Sequence, residues 1–209
     1  PVLVAAFEGW NDAGEAATGV VEHLEESWQA VPLGKIDPED YYDFQVNRPH
    51  VSVDETGVRS LDWPTTRVSL ARPAGVDRDV VLVRGIEPNM RWRGFCAELL
   101  AAVHDLGVER IVTLGALLAD VPHTRPVPVT VSTSDEKLAK SLGLEPSRYQ
   151  GPTGIVGVLQ DAARRDGLVA TTLWAAVPHY VAQSPCPKAT LVLLRRIEDL
   201  LNLPVPLGD

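Results

Sequence analysis

The sequence predicts an α/β protein whose mostly parallel sheet is covered by helices on both faces. Two observations carry this. Short apolar runs recur along the chain and alternate with longer segments whose apolar residues repeat at helical spacing. Strands buried on both faces read as continuous apolar runs, because helices cover them from either side. A third observation modifies the picture. Residues 33 to 72 carry period-two alternation between turn residues, which predicts a β-rich insertion with antiparallel edge strands or a hairpin.

The elements follow in order. PVLVAAF opens the chain as a buried strand. Residues 12 to 28 then place Ala13, Ala16, Ala17, Val20, Val21, Leu24 and Trp28 on one helical face, with Asn11 and Asp12 at the start and Asp12 and Glu15 in a capping arrangement. After the 33 to 72 segment, RDVVLVRG is a second core strand, and Arg84 leaves it. Residues 90 to 106 place Trp92, Phe95, Cys96, Leu99, Val103 and Leu106 on one helical face, stopped by Gly107. ERIVTLGAL and VPVTVSTS read as the third and fourth core strands, and SDEKLAKSLG as a short polar helix. GPTGIVGVLQDAARRDG opens a further helix, with Thr153 as its cap, before the strand LVATTLWAAVPHY. KATLVLLRRIEDLLNL closes the chain as an apolar helix stopped by Pro204 and Pro206. No repeat, low-complexity run or linker divides residues 1–209, so one domain is expected.

Composition excludes several classes. A formal charge of −9 opposes nucleic acid and anionic membranes, which both need clustered Lys and Arg. No apolar run reaches the roughly 18 residues of a membrane span. Two cysteines, Cys96 and Cys186, are too few for a disulfide framework, and a reduced, cytoplasmic protein is expected. The five histidines are scattered, so neither a metal nor a cofactor is expected. Pro1 stands where a natural start would carry Met, so a trimmed N-terminus is expected.

In such a sheet, ligands sit beyond the carboxyl ends of the strands, and four stretches fall there. In FEGWNDAGEAATG, Gly9 and Gly14 have P-loop spacing, but the Lys and Ser or Thr that should follow are Glu15 and Ala16. The loop therefore caps a helix, or Glu8, Asn11 and Asp12 face a cation, a hydroxylated group or a partner's basic residue. In RGIEPNMRWRGF, Arg84, Arg91 and Arg93 gather near a helix N-terminus and form a candidate anion site, with Glu87 beside them as an alternative ion-pair partner. In GALLADVPHTRPVPV, Gly115 permits close backbone approach, and Asp120, His123 and Arg125 are candidates for acid–base work. In YQGPTGIVG, Tyr149, Gly151, Thr153 and Gly154 surround a bare helix terminus that completes the anion site. Glu8, Asp120 and His123 are the candidate catalytic groups, although no G-x-S-x-G or H-E-x-x-H motif accompanies them.

FEGWNDAG, RGIEPNMRW, GALLADVPHTRPVPV, YQGPTGIVG and AVPHYVAQSPCPKAT are spread in order over most of the chain. Together they resemble the proteasome assembly chaperone 2 family in its actinobacterial branch, many of whose members have no known function. The resemblance implies a three-layer α/β/α domain with nucleoside-phosphorylase-like architecture. It also implies a cytosolic homo-oligomer, a trimer among its candidate states, with self and proteasome subunits as partners. Chaperone members dock a C-terminal hydrophobic–Tyr–any tail on the proteasome ring. The end VPLGD differs from that tail, and the resemblance implies a natural chain that continues past residue 209 as a helical, acidic segment. Some members carry a carboxylate–amine ligase label, which ranks last here because the chain has no P-loop to hold ATP. An oligomeric interaction or assembly protein is the leading reading. A small-molecule enzyme of nucleoside-phosphorylase-like type is the alternative.

Overall fold

The computed structural model describes residues 1–145, 147–181 and 185–207. Its centre is four parallel strands, β1 (Val2–Glu8), β6 (Val80–Ile86), β7 (Arg110–Ala119) and β9 (Val169–Pro178). Antiparallel strands close both edges. β2 (Val31–Lys35) and β5 (Thr66–Ala71) extend the β6 side, and β8 (Val129–Thr133) pairs with β9. The resulting order is β2-β5-β6-β1-β7-β9-β8. β3 (His50–Val53) and β4 (Arg59–Asp62) form a separate two-stranded hairpin. The expected mostly parallel sheet and β-rich insertion are both present. VPVTVSTS, expected among the core strands, is instead a half-exposed edge strand, because a short run after a proline-rich loop has room to return only antiparallel to β9.

Alternation along the strands builds two cores. Val2, Val4, Ala6, Val80 and Leu82 face α1 (Ala16–Ser27) and α5 (Pro187–Leu201). Leu3, Ala5, Phe7, Val81 and Val83 face α2 (Trp92–Asp105) and α4 (Ile155–Arg165). Phe7 and Phe95 are fully buried and meet edge to face at 5.8 Å. Full burial of one such side chain contributes roughly 1.5–3 kcal/mol. The short α3 (Glu136–Ser141) contributes no buried residue, and Asp135 caps it through the Lys137 and Leu138 amides.

The 33 to 72 segment divides into a buried and an exposed part. Tyr41 and Tyr42 are buried in the core of the protein's own fold, Tyr42 donating to the Ile86 carbonyl at 2.8 Å. Phe44 is half-buried against Trp63. The hairpin behaves oppositely, since every residue from 50 to 62 is exposed.

Candidate functional site

The carboxyl ends of β1 and β6 open into a cleft of about 920 Å³, walled by α1 and the start of α5. Glu8, Asp12, Glu15 and Glu22 line it, with Arg84 and His23. Leu191, Leu194 and Leu207 supply an apolar wall. Glu8 ends β1, as expected, and is exposed. Burial of its carboxyl nevertheless raises its pKa, against the lowering effect of Arg84, with Asp12 and Glu15 adding to the rise.

The chain does not enter the helix where Asn11 and Asp12 were expected to start it. Residues 13–15 make a tight turn, with φ +63° at Gly14 and +51° at Glu15, and α1 begins at Ala16. The turn lets the Asp12 carboxylate reach over it. Asp12 accepts from the Ala17 amide at 2.7 Å, the Thr18 amide at 3.2 Å and the Thr18 hydroxyl. Burial raises the Asp12 pKa, while these three hydrogen bonds oppose the rise. Glu15 points to solvent and takes no part in the cap. Only a glycine fits at Gly14, since a Cβ there would lie 2.7 Å from the Cys186 Cβ. The Gly14 carbonyl also accepts from the Cys186 amide at 2.7 Å, which ties the opening loop to the start of α5.

The bare terminus of α4 is likewise already occupied. Glu87 Oε1 accepts from the Ile155 amide at 2.8 Å and from the Asn11 amide nitrogen at 2.7 Å. A carboxylate from the chain's own loop thus takes the place an external anion would take, and it satisfies both an orphan N–H and the helix dipole. Thr153 does not cap this helix; its hydroxyl folds over Gly157. Asn11 is fully buried, its Oδ1 without a donor among the described residues and pressed against Gly154.

The other expected site residues scatter. Arg84 lies within β6 and bonds Glu25 at 3.2 Å and Glu22 at 3.4 Å, on the α1 face. Arg91 caps α2 on the opposite face and pairs with Asp40, while Arg93 is exposed in the first turn. Strand alternation therefore prevents Arg84 and Arg91 from sharing an anion. Gly115 sits mid-strand, where a Cβ would lie 2.6 Å from the ring of Trp174, its neighbour on β9, so the glycine makes room for an indole. Tyr149 is exposed and donates to the Pro152 carbonyl at 2.9 Å beside Gly151, away from Glu8. His123 meets Tyr180, whose hydroxyl lies 3.1 Å from Nδ1, and Lys188 holds the carbonyls of His123 and Arg125 at 2.6 Å each. Asp120 is exposed and bonds neither His123 nor Tyr180. Among the described residues no carboxylate orients His123. The Cys96 thiol, pushed up to about 11 by burial, is no nucleophile at neutral pH. Among the described residues no group of three or more His, Cys, Asp or Glu could hold a metal, and no helix is long and apolar enough to cross a membrane.

What sequence reading missed is on β5 and α1. Arg67, Glu22 and Glu25 all meet the neighbourhood of Arg84, the first through strand register and the other two through the packing of α1 on the sheet.

The family model described as the PAC2 family matches residues 6–209. A solved PAC2 family protein from Streptomyces avermitilis is similar at 62% identity and TM-score 0.96, over 100% of this chain and 88% of that one. A proteasome-assembly chaperone homologue from Mycobacterium tuberculosis is similar at 58% identity and TM-score 0.93, over 100% and 89%. A proteasome activator from Pyrococcus furiosus shares the fold at 16% identity and TM-score 0.77, over 99% and 85%. No curated protein sequence matches the chain.

Proposed function

This chain belongs to the PAC2 family, and from that premise we propose that it is a cytoplasmic interaction and assembly protein that self-associates and engages proteasome-type subunits. The observation that carries the reading is the β3–β4 hairpin. One face of it sets Val51 opposite Leu61 and Val53 opposite Arg59, and the three apolar residues are exposed by about half or more (Val51 49%, Val53 63%, Leu61 53%). The other face is a polar ladder in which Ser52 bonds Ser60 and Asp62. Such an amphipathic two-stranded unit is marginal in water by itself and gains stability when its apolar face is covered. Val46 and Trp63, near its base, are exposed as well. Proteasome components are the partner class to test first, because the M. tuberculosis relative is a proteasome-assembly chaperone homologue.

The enzyme alternative is not favoured. Its candidate groups Glu8, Asp120 and His123 do not meet, and Arg84, the cation nearest Glu8, is already committed to two carboxylates. The test has two arms. Light scattering is expected to give a mass above the 22.6 kDa monomer at micromolar concentration. Crosslinking in cells of the source organism is expected to capture proteasome subunits. A monomer throughout, with phosphorolysis of nucleosides that disappears in His123→Ala, would replace this reading with the enzymatic one.

A further inference from the structure

A second cavity, of about 380 Å³, lies between the base of the β3–β4 hairpin and the sheet where β5 begins and β6 ends. Three arginines line it, Arg48, Arg67 and Arg84, together with His50 and Trp63. That is a concentration of cations in a chain of formal charge −9. The strand register makes the arrangement costly, since Arg67 stands directly opposite Arg84 across β5 and β6. Like charges at directly opposed positions destabilise a sheet. Glu22 and Glu25 offset the charge of Arg84. Neither Arg48 nor Arg67 has a carboxylate within ion-pair distance among the described residues. Two carboxylates do reach the cavity wall, Glu8 and Asp62. Asp62 accepts from the Ser52 hydroxyl at 3.0 Å, and Glu8 feels both Arg84 and Arg67, but neither carboxylate lies within ion-pair distance of Arg48 or Arg67 among the described residues.

We propose that this cavity binds a small oxyanion, the phosphate or carboxylate group of a metabolite, between Arg48 and Arg67, and that the bound group ties the hairpin to the sheet. Guanidinium forks match the oxygens of either group and hold them with two parallel hydrogen bonds. The volume falls in the range of small-molecule sites. Trp63, 41% exposed, offers an apolar wall for the body of the ligand. Arg48 precedes β3 and Arg67 belongs to β5, so one anion held by both links two parts that no strand pairing joins. The bound group also relieves the repulsion between Arg67 and Arg84. The site does not depend on the assembly reading.

The test titrates inorganic phosphate and, separately, benzoate into the protein by calorimetry, and follows hydrogen exchange of residues 50–62 with each. At least one probe is expected to bind, with its affinity falling about tenfold or more in both Arg48→Ala and Arg67→Ala. Arg195→Ala, which removes an exposed arginine on α5, is expected to bind like the parent. Binding of phosphate alone assigns a phosphorylated ligand, and binding of benzoate alone a carboxylate with a flat body. The binding probe is expected to slow exchange in the hairpin. Arg67→Lys, which keeps the charge and loses the fork, separates a lost site from a lost fold and is expected to retain weakened binding. No heat with either probe overturns the proposal. So does binding that survives both alanine variants, or binding that leaves hairpin exchange unchanged; each would mean an adventitious ion only.

Discussion

The opening loop and the β3–β4 hairpin are both polar-rich connections, and they are built in opposite ways. From Asn11 to Gly14 the loop is buried or half-buried, and its side chains are spent on the fold. Asp12 caps α1, Asn11 holds Glu87, and Glu87 caps α4. The hairpin is exposed throughout and bonds mainly within itself. The difference shows where binding capacity remains. A loop with glycine spacing at the head of a sheet looks like a ligand site, but here internal carboxylates have filled both helix termini. Arginines without an ion pair among the described residues and uncovered apolar surface lie around the hairpin instead.

Substitutions sharpen this contrast, and the largest effect is expected in the lock. A Cβ at Gly154 would lie 2.2 Å from Asn11 Oδ1 and 2.7 Å from Glu87 Oε1. Gly154→Ala is expected to destabilise by about 3 kcal/mol, the upper end for overpacking, measured by urea unfolding. A loss below about 0.5 kcal/mol, the range of an inert surface site, would mean that the lock is loose. Glu87→Ala is expected to cost about 2 kcal/mol, because it strands the Ile155 amide and the Asn11 amide group together.

The third expectation concerns pH. Asp12 titrates above its ordinary value in the folded protein because it is buried. A carboxyl with a raised folded pKa contributes its stabilisation fully below the unfolded value of about 3.9 and loses it as pH rises through the folded value. As pH rises above about 4 the parent should therefore lose stability relative to Asp12→Asn. A difference in unfolding midpoints that stays flat as pH rises would show that the three hydrogen bonds cancel the effect of burial.

The smallest effect on stability is expected in the hairpin. Val51→Ser with Leu61→Ser should change unfolding by no more than about 0.5 kcal/mol per site, as for exposed positions. The same double variant should lower the mass measured by light scattering. Unchanged association would move the self-contact to another surface.

The fold was largely legible in the residues. Apolar runs at 2–7, 80–83 and 111–116 mark strands buried on both faces, and the helical stripes through Val20 and Leu24, or Phe95 and Leu99, mark the layers that cover them. The site was legible only in part. Glu8 was placed correctly at the end of β1, and the turn at Gly154 does reach the opening loop. Arg84 and Arg91 were grouped because they are near in sequence, yet strand alternation sends one towards α1 and the other begins a helix on the far face.

Hydrophobic periodicity by itself determined the α/β class, the order of the elements and the buried faces of the helices, because side-chain direction in strands and helices follows from local geometry. Pairing was decided only by the tertiary structure. That Glu87 would cap a helix 68 residues later, that Gly115 would make room for Trp174, and that Arg67 would stand opposite Arg84 depend on strand register and helix placement. Those are set by the packing of the whole sheet and leave no trace in the spacing of residues along the chain.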